Sequence, residues 1–395
     1  IPRPDLFFPL FHPLFTPMYS HFVQFTIPKI GQALVAVLLY LNFLQLPFVA
    51  IFAGTLPPAY YGLPLALTAA VMYAARDPLS VGMVWAGVLT GVYAACDLAG
   101  LIFRLIGGPA YAVWRLVYCG GLLAWGITLA WLVYGWRRAK RLCTTTYRVR
   151  TAKPLPGGRL RVVQISDLHA GSTMDAARAG ELAGRVAALE PDLLVFTGDI
   201  YDETTPRAAF DAYNRAFARM PARYGKFFIF GNHDLGEYFA NASFTRADLE
   251  TALAAADIRV LEDVAVPVYT GGGVLRVVGR KDWLYCEHRR FSPGQLMPGG
   301  PDGIFTLWLD HEPRELRAAA QAGADLILCG HTHAGQLWPV GLVARLFRFN
   351  ELNYGKKQVG SATAIVSGGT GTWGYRLRTE GRTEIVCVEV ETAAP

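Results

Sequence analysis

Cysteine is scarce and unpatterned. Cys96, Cys119, Cys143, Cys286, Cys329 and Cys387 are scattered through 395 residues without paired spacing. This excludes a disulfide scaffold and a thiolate metal cluster, and the six read as buried or free thiols in a reducing compartment. A strong overall charge is also missing: the net charge of +6 is modest and no interleaved basic and aromatic motif stands out, so no nucleic-acid partner is expected. No internal repeat is present. Charge is scarcest in residues 1–136, where Asp5, Asp77 and Asp97 are the only acids and Arg3, Lys29, Arg76, Arg104 and Arg115 the only Lys or Arg.

That long apolar stretch predicts an α-helical membrane domain over 1–136. A helix needs about 20 apolar residues to cross the hydrocarbon core, and about four spans meet that length: Ile30 to Thr55, Ala59 to Ala75, Leu79 to Phe103 and Pro109 to Trp136. The second is short enough to be tilted or re-entrant. Pro57-Pro58, Asp77-Pro78 and Gly107-Gly108-Pro109 punctuate them as turns. Asp97 inside a span is expected to pair with Arg104 on the same helix face rather than to serve transport. Nine Lys or Arg and no acid fall between Arg137 and Arg161. The segment 137–158 therefore reads as a basic linker. Basic flanks stay cytoplasmic, so an integral membrane protein with residues 159–395 on the cytoplasmic face of the cell membrane is expected.

Residues 159–395 carry a different signal. Five apolar runs, VVQIS, LLVFT, FFIF, FTLWL and DLILC, each lead into a polar motif: Asp167-x-His169, Gly198-Asp199, Gly231-Asn232-His233-Asp234, Asp310-His311 and Gly330-His331-Thr332-His333. Such runs read as buried strands, and polar residues at the carboxyl ends of strands in an α/β sheet converge on one ligand-binding edge. Five of the chain's eight histidines sit in these motifs. Carboxylate, imidazole and amide oxygen suit Mn, Fe, Zn or Mg. In a two-metal hydrolase a carboxylate bridges the ions, and Asp199 is the natural bridge. A water between two cations ionises near neutral pH and becomes a hydroxide nucleophile. Asp-x-His and Gly-Asp are weak signals alone, since such dipeptides and triplets are common in loops, whereas GNHD and GHTH after apolar runs are specific. His288, in CEHRR, reads as a loop residue.

DLHAG, TGD, GNHD, DHEP and GHTHAGQ, in this order, resemble the calcineurin-like metallophosphoesterases over roughly Arg159 to the C-terminus. The resemblance implies a four-layer αββα sandwich, where periodicity alone gives only α/β with an added β-rich part. It also implies two divalent ions, with Mn foremost and Fe, Zn or Mg alternatives. One ion would be held by Asp167, His169, Asp199 and His333, the other by Asp199, Asn232, His311 and His331. His233 would act as general acid, oriented by Asp234, a role suited to a group titrating near neutrality. GHTHAGQ and SGGTGTWGYRLR resemble the membrane-tethered branch that includes UDP-diacylglucosamine pyrophosphatases and transmembrane metallophosphoesterase-domain proteins. Ala334 stands where that branch commonly has Gly, which puts no ligand in doubt.

Two arginines near the C-terminus follow from the same resemblance: Arg378 as a substrate phosphate contact, with Arg376 a weaker candidate. Arg is the side chain best shaped for phosphate. Trp283 to Gly303, with Arg289 and Arg290, reads equally as a lid or as an ordinary surface loop. Pro339 to Phe349 fits an amphipathic element at a membrane surface, or core packing. Together these readings predict a membrane-embedded two-metal phosphoesterase acting on a phosphate ester or pyrophosphate of a lipid-linked substrate, with membrane lipids as partners. The alternatives are a broad phosphodiesterase or phosphatase on nucleotides or phosphoproteins, and a transporter or sensor with a regulatory metal domain.

Overall fold

A computed structural model describes residues 81–117, 122–234, 242–284 and 289–393. It divides into one unit ending at Tyr134 and a second beginning at Gly135. The spans expected at 30–55 and 59–75, and His288, lie outside the described residues. The first unit contains α1 (Val81–Ile106), α2 (Pro109–Val117) and most of α3 (Leu122–Lys140). Within α1, Val84–Ile106 is the one described helix long and apolar enough to cross a membrane. The span expected over Pro109 to Trp136 is described as α2 and α3, with 118–121 between them outside the described residues.

In the second unit the strands run β1 (Leu142–Thr151), β2 (Arg159–Ile165), β3 (Leu193–Thr197), β4 (Lys226–Ile229), β5 (Ile258–Val260), β6 (Val264–Thr270), β7 (Gly273–Gly279), β8 (Phe305–Leu309), β9 (Leu326–Cys329), β10 (Gly355–Val359), β11 (Ala362–Val366) and β12 (Thr383–Thr392). Among them lie α4 (Ala179–Ala187), α5 (Arg207–Arg219), α6 (Arg246–Ala255), α7 (Pro293–Leu296), α8 (Leu316–Ala322) and α9 (Val340–Leu346). One sheet has the order β1-β12-β2-β3-β4-β5 and the other β10-β11-β9-β8-β7-β6. From β2 to β5, and from β11 through β9 and β8 to β7, neighbours are parallel.

The apolar runs are continuous because these central strands are covered on both faces. Val162, Leu193, Val195 and Ile229 of one sheet meet Val277, Leu307, Leu328 and Ile365 of the other in a shared core. On the outer face of the first sheet, Leu182, Phe210, Phe217 and Leu249 from α4, α5 and α6 pack on Val163, Leu194 and Phe228. On the outer face of the second, Leu316, Ala319 and Ala320 of α8 pack on Trp308 and Ile327. The result is an α/β sandwich with two sheets, and the carboxyl ends of β2, β3, β4, β8 and β9 all lead into the polar motifs.

The basic segment 137–158 departs from its reading as a linker. Its centre is β1, paired parallel to β12 from Leu142↔Thr383 to Thr151↔Thr392. Arg148 and Arg150 are exposed on this strand, and charge on an edge strand is a common device against further pairing. The preceding turn of α3 belongs to the same unit: Arg378 N donates to Gly135 O at 3.0 Å, and Thr383 Oγ1 to Ala139 O at 3.2 Å.

Candidate metal centre

The five motifs fold into two adjoining clusters. Asp167, His169 and His333 offer ligand atoms within 4.8 Å of one another, and so do Asp199, His311 and His331. Asp199 reaches both: its Oδ2 lies 3.1 Å from His311 Nε2 and 3.9 Å from His169 Nε2. His331 Nδ1 is 3.2 Å from Asn232 Oδ1, which adds the amide to the second cluster. All seven residues expected as ligands are therefore together.

Getting them there strains the backbone. Asp167, His169, Asp199, His331 and His333 all have φ between 41° and 68°, a region non-glycine residues rarely adopt. Gly198, at φ 85°, must lack a side chain: a Cβ there would sit 2.5 Å from His311 Nδ1 and 2.6 Å from Gly231 N. A Cβ on Gly330 would come within 2.2 Å of Asp167 Oδ2. The glycines that open the motifs are thus required by close approach of the ligand-bearing loops.

Hydrogen bonds fix which imidazole nitrogen carries a proton. His169 Nδ1 faces Asp202 Oδ2 at 3.1 Å and His311 Nδ1 faces Thr197 O at 2.8 Å, so each Nδ1 carries a hydrogen and Nε2 is the nitrogen turned to the cluster. Burial opposes charge on His311, but Asp199 outweighs it and holds this imidazole well above its ordinary value, so a bound cation would take the place of its Nε2 proton. His169 Nε2 and His333 Nε2 then lie 3.2 Å apart. His311 Nε2 is buried and makes no well-formed hydrogen bond despite its closeness to Asp199. Imidazole nitrogens and carboxylate oxygens converging in a buried pocket fit a cation between them. Burial and nearby positive charge on His311 hold His331 down to about 3, and burial and His169 hold His333 well below its ordinary value, so both are neutral as ligands must be. Burial opposes charge on Asp199 too, but His311 and His233 outweigh it and hold this carboxyl well below the usual range.

Two expected roles change. Asp234 does not orient the His233 ring. Its Oδ1 accepts from the N–H of Ile200 and Tyr201, and its Oδ2 from those of Asp199 and Gly231, at 2.7–3.0 Å. It clamps the two loops that carry Asp199 and Asn232. The partner of His233 Nδ1 is Glu203 Oε2, at 2.9 Å. Asp202 and Glu203 escaped sequence reasoning because the Gly198-Asp199 motif looks like a bare turn. Their signal was two further acids within four residues of Asp199 in the same loop.

Arg378 is the second change. It is fully buried, with Nη1 donating to His333 O and Nη2 to Gly371 O, both at 2.9 Å. A side chain spent on main-chain carbonyls with no solvent access is not a substrate contact; it holds the loop that presents His333. Arg378→Met is expected to cost about 2–4 kcal/mol, because it strands two buried carbonyls. Denaturant unfolding measures this, and a loss under about 0.5 kcal/mol, the scatter of ordinary surface substitutions, would contradict the role. Arg376 remains exposed, 3.3 Å from Gly171 O. In the stretch expected as a lid or loop, the Arg290 side chain is buried and held by Asp310 Oδ1 at 2.8 Å and Glu315 Oε2 at 3.3 Å.

Trp373 forms a wall beside His233, with ring centroids 5.4 Å apart, and is 41% exposed. Gln336 of GHTHAGQ fixes it: Oε1 accepts from Trp373 N, and Nε2 donates to the carbonyls of Trp373 and Tyr375.

A family model for calcineurin-like phosphoesterases matches residues 160–335. The chain is similar to an uncharacterized metallophosphoesterase of Helicobacter pylori, 27% identical over 66% of this chain and 68% of that protein. It is similar to an uncharacterized metallophosphoesterase of Aquifex aeolicus, 30% identical over 62% of this chain and 90% of that protein. A Danio rerio transmembrane protein with metallophosphoesterase domain is 29% identical over 59% of this chain, which spans 54% of that protein's length.

Proposed function

The chain belongs to the calcineurin-like phosphoesterases, a family of dimetal phosphoester hydrolases, and from that premise we propose that it is a membrane-embedded enzyme hydrolysing a phosphate ester or pyrophosphate of a lipid-linked substrate. The observation that carries the hydrolytic part is the pair of ligand clusters sharing Asp199. Asp167, His169, Asp199 and His333 would hold one divalent ion, and Asp199, Asn232, His311 and His331 the other, with Mn the first choice. Bound there, the ions would lower the pKa of a shared water and neutralise charge on the phosphoryl oxygens.

The chain's own residues supply the rest. Glu203 accepts the Nδ1 hydrogen of His233, which leaves the Nε2 hydrogen of the protonated ring for the leaving oxygen. Burial alone would lower the His233 pKa, but Asp199 and Glu203 outweigh it and raise it to about 9. Cations beside Asp199 would spend that carboxylate's charge, so the working value lies lower and Glu203 becomes its main support. The acid form is present below the pKa and lost as pH rises through it. Glu203→Gln should therefore move the alkaline limb of kcat to lower pH, read from a pH–rate profile. An unmoved limb contradicts the pairing.

The membrane part is supported by the apolar helix Val84–Ile106, by the basic residues that close α3, which favour the cytoplasmic face, and by likeness to a relative named as transmembrane. Detergent-purified full-length protein, stripped of metal and resupplied with Mn, tests the substrate class. A lipid-linked pyrophosphate should be hydrolysed with higher kcat/KM than its water-soluble head group. Equal efficiency on both would remove the lipid from the reading.

A further inference from the structure

Just beyond the last ligand motif the catalytic unit turns its large apolar side chains outward. Trp338, Val340, Leu342, Leu346, Phe347 and Phe349 are 60, 54, 40, 70, 69 and 63% exposed. Single exposed apolar residues are ordinary, but this density in one short segment marks an interaction surface. The helix α9 rests on the domain through its small residues: Gly341 and Ala344 are buried, and a Cβ on Gly341 would come within 2.5 Å of both Ala334 O and Glu380 Oε1. A soluble helix normally shows the opposite arrangement.

Its own charge is one-sided. No acid occurs from Leu337 to Asn350, and Arg345 and Arg348 are both exposed, Arg345 pairing with Glu380 Oε1 at 3.1 Å. The segment is fastened to the loop 377–381, where Trp338 N donates to Thr379 Oγ1 at 2.9 Å and Gly341 N to Glu380 Oε2 at 2.8 Å. The same loop receives the last turn of α3: Arg138 Nη2 donates to Gly381 O at 2.6 Å, and beside it Trp136 is 48% exposed and Arg137 is exposed. That helix is apolar from Leu122 until its basic end.

We infer that residues 338–349 form a bilayer-docking surface of the catalytic unit, the aromatic and aliphatic side chains entering the headgroup and acyl boundary and Arg348 meeting lipid phosphate, with Arg345 held beside it by Glu380. Exposed apolar and basic residues without acids are what an anionic lipid surface selects. The shared loop ties this surface to the end of an apolar helix, which favours lipid over a soluble protein as its occupant. Trp338 lies five residues after His333, so the docking surface and one wall of the metal centre are a single piece of chain. The inference rests on the membrane-embedded reading and gives it a route by which a phosphate at headgroup level reaches the site.

The test uses full-length protein in nanodiscs of phosphatidylcholine, with and without phosphatidylglycerol, doped with a phospholipid bearing a photoactivatable diazirine near its headgroup. After irradiation, mass spectrometry locates the lipid adducts. The expected result is adduct yield on 338–349 at least fivefold above that on the β6–β7 hairpin, whose Tyr269 is equally exposed to solvent, rising with phosphatidylglycerol. The double variant Leu346→Glu, Phe347→Glu should cut that yield about fivefold while hydrolysis of a water-soluble aryl phosphodiester stays within twofold. Yield no higher than on the hairpin would overturn the inference. Absence of lipid adducts together with links between two copies through this segment, made by a bifunctional protein cross-linker on the same sample, would overturn it in favour of a self-association face. Adducts are read without turnover, so failure here is separable from failure of the hydrolytic reading.

Discussion

Asp199→Asn is expected to lower kcat by about a thousandfold, on the order of what loss of a preorganised charged group at a reacting phosphoryl centre costs, and to leave the purified protein short of metal. Among the described residues Asp199 is the carboxylate whose oxygen approaches imidazoles of both clusters, and its neighbours His311 and His233 keep it ionised in a buried site. An amide has the same shape and one donor oxygen, but it carries no charge with which to offset two cations. The fold should survive, because the Asp199 Oδ1 that accepts from His233 N at 2.9 Å has a counterpart in Asn. Circular dichroism and elemental analysis beside the kinetics separate these effects. A folded variant that retains metal and more than a tenth of wild-type activity would show that Asp199 is not the bridge.

His233→Ala is expected to do something different: kcat on an alkyl phosphoester falls by about 10²–10⁴, the usual worth of a positioned acid, while metal content is unchanged. His233 shares its motif with Asn232, but its ring is paired with Glu203 and lies tilted beside Trp373 rather than in either ligand cluster. An acid is needed only where the leaving oxygen is basic. The same variant should therefore lose far less on a nitrophenyl ester, whose leaving group departs without a proton. Equal losses on both esters would mean that His233 binds or positions the phosphoryl group instead. Loss of metal along with activity would make it a ligand.

Much of this centre was legible because its strands are buried on both faces. LLVFT, FTLWL and LILC are entirely apolar or nearly so for that reason, and their abrupt ends mark the ligand edge. The bridging carboxylate followed from residue type and order, and the sorting of the imidazoles and the amide between two ions from the family resemblance. The supporting groups were harder to see. Asp234 sits next to His233 in sequence, yet adjacent residues on a tight loop point apart, and its carboxylate went to four backbone amides. Arg378 was read as a phosphate contact from the family resemblance and the shape of its guanidinium; nothing in its neighbours announces that two carbonyls await it inside. Glu203 was hidden in a segment that reads as a turn. The strand β1 was hidden by its arginines, although CTTTYRVRT already showed the β-branched residues of a strand.

Hydrolysis by this chain is proposed to need two ions at the shared carboxylate. The direct measurement is activity of metal-stripped full-length protein on a phosphodiester as Mn is titrated in, with bound metal counted at each point. The account predicts negligible turnover without metal and a rise that levels off at two ions per chain. Turnover that persists after stripping, or that is complete at a single ion, would contradict it.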